Sequence, residues 1–141
     1  VAVYYTIDDG GLAKACGSLA EVLRSRKPQI AILEEIAGTT SLNFDDQGLS
    51  LDGIPWKPLS AAYAQWKKDS GFGVRIGERT GAMKGGFERG WEGEVGIYGN
   101  TVKYAGSFDH FRPLIGQSPA YIEAYKEAFL DSLRDAAGEE K

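Results

Sequence analysis

Apolar residues recur at helical spacing in four blocks of this chain and alternate in several shorter ones. Leu12, Cys16, Leu19 and Leu23 follow i, i+4, i+7 and i+11, which predicts a helix with one narrow apolar stripe. On that stripe Cys16 reads as packing rather than as a nucleophile. Arg24, Arg26 and Lys27 stand at the carboxyl end, where positive charge suits the helix dipole. Pro28 is well placed as a first helical residue. Ile30, Ile32, Leu33, Ile36 and Ala37 cover a wide arc, so the second helix should be more buried than the first. Gly38 is a candidate stop, but Thr40 and Phe44 keep the period and carry the helix to Phe44. A third helix follows Ser60 with Leu59, Tyr63 and Trp66 on one face, and ends near Lys67-Lys68 with Gly71 beyond it. The last opens at Ser118-Pro119 and carries Ile122, Tyr125, Phe129, Leu133 and Ala136 as its buried stripe.

The remaining stretches read as strands and loops. Val3, Tyr5 and Ile7 alternate with polar or aromatic neighbours and stop at Asp8-Asp9-Gly10-Gly11. Residues 45–53 read as a polar loop. Phe72, Val74 and Ile76 alternate with small or charged residues, a strand pattern loosened by Gly73 and Gly77. Thr80-Gly81-Ala82-Met83 opens a short helix in which Met83 and Phe87 meet at i, i+4, weakened by about 1 kcal/mol at each of Gly85 and Gly86. Trp91, Val95 and Ile97 share one parity, and Gly99-Asn100 is read as a hairpin turn into Val102 and Tyr104. Arg112-Pro113-Leu114-Ile115-Gly116 is extended. These elements predict an α+β fold: a single domain over residues 1–141, with a small antiparallel sheet packed with several helices, including a long C-terminal one.

Trp56-Lys57-Pro58-Leu59-Ser60 is the rigid centre of this plan. Pro58 fixes its own φ and pushes Lys57 out of the helical region, and the Ser60 hydroxyl can accept an orphan N–H at the start of the following helix. Trp56, Pro58, Leu59 and Trp66 are therefore expected in the structural core, with a sugar- or base-stacking platform at the tryptophans as the sharper alternative.

The totals narrow the class. The chain has 141 residues, 43% of them hydrophobic, and a net charge of −4, with 16 basic residues against 20 acidic ones. The basic residues read as scattered, which argues against a nucleic-acid patch as the main business. One cysteine leaves no partner for an internal disulfide and no cysteine-based zinc site. The opening Val-Ala-Val-Tyr-Tyr lacks the basic region of a signal peptide, and no apolar run reaches the length of a membrane-spanning helix.

The motifs of enzyme chemistry fail when tested. A phosphate loop counted from Gly81 reaches Gly86 but then meets Phe87 and Glu88 instead of Lys and Ser/Thr. A dinucleotide fingerprint from Gly71-x-Gly73 meets Ile76 where the third glycine belongs. His110 is the one imidazole, and its neighbour Asp109 would point to the opposite face of a strand. The carboxylate pairs Glu34-Glu35, Asp45-Asp46 and Glu139-Glu140 are adjacent residues that diverge on a helix or face solvent. The expectation is no catalytic residue, no cofactor and no metal ligand.

Three ordered anchors resemble the virion morphogenesis, or tail-completion, family of tailed bacteriophages, notably its Mu-like members. They are Trp56-Lys57-Pro58-Leu59-Ser60, similar to W-x-P-L-S; Thr80-Gly81-Ala82-Met83, similar to T-G-x-L; and Tyr104-Ala105 followed by Arg112-Pro113-Leu114-Ile115-Gly116, similar to Y-A and R-P-F-L-G. The resemblance covers roughly residues 12–137. It departs at Phe108-Asp109-His110-Phe111, where the family often carries H-Q-x-G, and at Gly85-Gly86. It implies a structural, non-enzymatic protein of the virion neck or tail end, assembled in the host bacterial cytoplasm. As a head–tail joining or tail-terminator ring, expected to be six-fold, it would contact itself, the tail tube and the head connector, and would let DNA pass without specific binding. The competing classes are a small carboxylate-dependent hydrolase and a nucleic-acid-binding module. Within the ring reading, residues 69–78 are expected to be an assembly arm, with Phe72, Val74 and Ile76 meeting a neighbouring subunit; a hairpin strand folded on its own domain is the alternative.

Overall fold

The computed structural model describes residues 12–139, with side chains at 16–136 and 138. The strand expected at Val3–Ile7 and its Asp8–Gly11 stop lie outside the described residues. Among those described, six helices and two small antiparallel sheets of two strands each make up an α+β fold.

Helix α1 (Leu12–Arg24) and helix α2 (Lys27–Asp46) form a tight helical hairpin. Its turn places Arg26 in the left-handed region at φ 63°. Helix α2 runs through Gly38 as its periodicity predicts, because tertiary packing on both sides outweighs one glycine. Gln47 ends it at φ 59°, and the Gln47 amide donates to the Phe44 and Ile76 carbonyls.

The stretch expected to be a plain loop instead contains strand β1 (Gly48–Leu49) paired with strand β2 (Ile54–Pro55). Gly48 is what permits it: a Cβ there would lie 2.6 Å from the Ile54 carbonyl oxygen. Helix α3 (Ala61–Asp69) starts at Ser60, whose Oγ accepts from the Tyr63 N–H at 3.2 Å, as its cap chemistry predicts. Helix α4 (Ala82–Gly85) is short as expected, with Met83 buried, but it stops before Phe87, which opens the next strand instead of pairing with Met83 along the helix.

Strands β3 (Phe87–Glu92) and β4 (Val95–Asn100) pair in register from Phe87↔Asn100 to Glu92↔Val95. The hairpin turn is thus Gly93-Glu94, with Gly93 at φ 61°, and not Gly99-Asn100. Across a two-residue turn the parity of facing residues switches. Trp91 therefore shares a face with Gly96, which packs on Leu33, while Val95 and Ile97 lie on the other face and are exposed. Helix α5 (Ala105–Phe111) and helix α6 (Pro119–Glu139) complete the chain.

The larger core cluster joins Phe44, Trp56, Met83, Ala105 and Leu114; a second joins Leu49, Tyr121 and Tyr125 with Ile32 and Ile36 of α2. Between them sits Asn43, fully buried. Its amide donates to the Leu114 carbonyl at 3.3 Å, and its Oδ1 accepts from the Ser50 N–H, the Ser50 hydroxyl and the Tyr121 hydroxyl, the last at 2.6 Å. One amide thereby ties α2, the β1–β2 loop, the segment before α6, and α6 itself. Such a buried network is stable only when every member is satisfied.

Three of the expected core positions shift. Trp56 is 4% exposed, but Trp66 is 46% exposed, Pro58 is exposed and Leu59 is half-buried. Helix α3 is rotated so that Lys67, only 1% exposed, faces inward in place of Trp66. The lysine stem packs as a hydrocarbon and its Nζ donates to the Arg75 carbonyl at 2.6 Å. Ile122 of α6 is likewise exposed, while Tyr121, one position away and absent from the predicted stripe, is wholly buried.

Candidate functional site

Two motifs that lie far apart in sequence hold each other. The Trp56 indole N–H donates to the Pro113 carbonyl at 2.8 Å. Arg112 returns the contact, with Nε 2.6 Å from the Lys57 carbonyl and a second nitrogen 3.1 Å from that of Pro58. These bonds fix the start of α3 against the chain before α6. They leave α3 standing beside a cleft of about 270 Å³.

Tyr63, Tyr104 and Phe108 form the aromatic walls of that cleft, and Lys67, Glu78, Arg79 and Arg112 are its ionisable lining. Burial lowers the Lys67 ammonium from its ordinary value, Glu78 opposes that shift and Arg79 reinforces it. Burial alone would raise the Glu78 carboxyl, but hydrogen bonds from Arg75 and Lys84 outweigh it and hold the group below the usual carboxylate value. Glu78 is the cleft's one carboxylate, so the cleft does not bring together the two carboxylates that a glycosidase uses.

Outside the cleft the aromatic surface continues. Tyr63 and Trp66 stack at 5.5 Å, Phe72 lies 5.9 Å beyond Trp66, and the Arg79 guanidinium covers Phe72. The stretch Lys57–Lys84 holds six Lys and Arg against two acidic residues, in a chain whose total is −4. This local excess of cations was legible as a charge count over a window; reading the basic residues as scattered missed it. Lys67 was missed as well, because nothing in its spacing separates a buried lysine from a helix-end one.

The strand pattern expected at Phe72, Val74 and Ile76 does not form. Residues 72–77 contain no strand, and Phe72, Val74 and Ile76 do not share a face: Phe72 packs on Trp66, Val74 is exposed and Ile76 joins the core. The segment is tied to its own subunit. Ile76 N–H donates to the Gln47 side chain, and Arg75 donates to the Phe44 and Asp45 carbonyls at 2.9 and 2.8 Å. Gly77, at φ 76° and packed against Phe44, Met83 and Phe108, serves a turn and a close approach rather than a loose strand.

The other candidates for chemistry stay apart. Asp109 accepts the Leu114 N–H at 2.8 Å, whereas His110 is exposed with its ring against Phe111. Glu34 faces Arg89 at 3.8 Å and Asp45 faces Lys84 at 3.3 Å. Cys16 is exposed and free rather than packed, because α1 turns that part of its stripe to solvent along with Leu19 and Leu23. Among the described residues no three His, Cys, Asp or Glu side chains gather as a metal ion would require. No helix there is long and apolar enough to cross a membrane.

A second surface lies between α2 and α6, an apolar groove of about 390 Å³ with Ile32 on one side and Ile122, Phe129 and Leu130 on the other. No protein-family model, curated protein or solved structure matches this chain.

Proposed function

We propose that this protein is a non-enzymatic structural component of a tailed bacteriophage, forming a ring at the head–tail junction that completes or terminates the tail and helps join it to the head. The observation that carries the reading is the pair of separate apolar surfaces on one small chain. Tyr63 and Trp66 are exposed on α3, and Ile122 and Leu130 are exposed beside the α2–α6 groove. Contiguous apolar surface of this kind marks association sites, and two different sites per chain are what a ring needs. The bonding of Trp56 to Pro113 and of Arg112 to Lys57 and Pro58 also gives two of the phage-like motifs a shared structural task. On this reading, which the resemblance implies, the protein sits in the virion neck or tail end, with the tail tube and head connector as neighbours and DNA passing without specific binding.

The test is electron microscopy of the purified protein and of virions from the source phage labelled with an antibody against it. Rings from the protein alone and label at the neck or tail end are expected. Label confined to the head or the tail tip, or virions that carry none of the protein, would overturn the reading.

A further inference from the structure

We propose that the cleft beside α3 binds a nucleotide, its base stacked on the open face of Tyr63 and its phosphate drawn to Arg79, Arg112 and the buried Lys67. The inference stands apart from the ring reading, since it assigns a ligand to a pocket within one chain.

The aromatic side of the cleft continues a stack of rings. From Phe72 through Trp66 to Tyr63 the rings follow one another at 5.9 and 5.5 Å, the last pair nearly parallel at 19°. Trp66 covers one face of Tyr63, and Tyr63 lines the cleft. Its other face is available there to a further flat ring, with Tyr104, Phe108 and Met83 as apolar lining around it. Every nucleic-acid base presents such a ring and stacks on aromatic side chains with little regard to its identity. The cleft's volume of about 270 Å³ falls just below the roughly 300–1,000 Å³ of drug-sized pockets, which suits one nucleotide unit rather than several.

The cations of the cleft are short of acids. Glu78 is its one carboxylate, and Arg75 at 2.5 Å and Lys84 at 3.1 Å already engage it. Arg79 has no ion-pair partner among the described residues, and its guanidinium lies over the Phe72 ring at 5.9 Å instead. Arg112 uses Nε and one terminal nitrogen on the Lys57 and Pro58 carbonyls, and its other terminal nitrogen has no partner among the described residues. Lys67 is 1% exposed, yet its ammonium, with three donors, reaches one acceptor, the Arg75 carbonyl at 2.6 Å. Burial and Arg79 both work against that charge, and Glu78 offsets them in part. Buried charges are ordinarily paired, and an anion in the cleft would supply the pair. A phosphate suits three cations better than a carboxylate does, because it carries about −1.5 to −2 charges on three acceptor oxygens and meets arginine bidentately. Duplex DNA keeps its bases paired and stacked, so the cleft would not hold a duplex passing by.

Equilibrium dialysis with radiolabelled adenosine monophosphate tests this. The monophosphate should bind, and adenosine and inorganic phosphate, each half of the ligand, should compete at least about tenfold more weakly. Tyr63→Ala and Arg79→Gln should each weaken binding about tenfold while keeping the urea midpoint close to that of wild type, since both side chains are exposed. Lys67→Met keeps the packed stem, removes the charge and should also weaken binding; should that variant melt early, Arg79→Gln carries the charge test alone. Oligodeoxyadenylate as competitor identifies the source. Competition stronger per nucleotide than the monophosphate assigns the cleft to a unit of a single strand, and weaker competition assigns it to a free nucleotide. No retention of the monophosphate up to millimolar concentration would overturn the proposal. So would adenosine or phosphate competing as well as the monophosphate, the same oligonucleotide in duplex form competing as well as the single strand, or either exposed variant binding as wild type does.

Discussion

Replacing Gly116 by alanine should cost far more than a methyl group suggests. The backbone there is not left-handed, so alanine meets no conformational penalty. Its Cβ, however, would lie 2.2 Å from Cγ of Tyr121 and 2.3 Å from both neighbouring ring carbons. That ring is wholly buried, and its hydroxyl donates to Asn43 and accepts from the Leu51 N–H at 3.2 Å. Forcing atoms into a packed core costs about 1–3 kcal/mol. Pulling the hydroxyl from buried partners adds about 1–3 kcal/mol. We expect a combined loss of ~3–5 kcal/mol, or a fall of ~10–15 °C in Tm for a chain of this size. Urea titration of wild type, Gly116→Ala, Tyr121→Ala and the double variant measures it. In the Tyr121→Ala background the glycine substitution should cost less than about 0.5 kcal/mol, because the clashing ring is gone. An equal cost in both backgrounds, or a single variant as stable as wild type, would refute the steric argument.

Trp56→Ala should destabilise by about 3–5 kcal/mol through a large core cavity, and Trp66→Ala by about 1 kcal/mol or less; equal effects in chemical denaturation would contradict the burial difference between them. Gly38→Ala meets open space within α2 and should stabilise by about 0.5–1 kcal/mol, read as a raised urea midpoint. Burial holds the Tyr125 phenol above its ordinary value, with Tyr121 and Glu35 adding to the shift. Its stabilising contribution is complete below the ordinary phenol range and is lost as pH climbs through the raised value. Tyr125→Phe should cost about 1 kcal/mol at neutral pH by losing the bond to the Gly116 carbonyl, and should flatten the alkaline fall in Tm; an unchanged fall would assign it elsewhere.

The sequence by itself determined the elements whose cause is local. Ser60 caps α3 because a hydroxyl and the fixed Pro58 entry suffice, Pro28 starts α2, and the periodicity through Thr40 and Phe44 carries α2 past Gly38. The α+β class and the burial of Trp56 follow from the same local rules. Other features required neighbours distant in the chain. The β1–β2 pairing depends on the close approach that Gly48 allows, and the β3–β4 turn moved to Gly93-Glu94 because register is set by which face meets Leu33. The stretch 72–77 lost its strand because Gln47, Phe44 and Asp45 of α2 satisfy its polar groups. Periodicity assigns a helix a face only to within about one residue, or roughly 100° of rotation. Tertiary packing alone decided that Lys67 and Tyr121 turn inward while Trp66 and Ile122 turn out, and that choice places both surfaces from which the ring is proposed to be built.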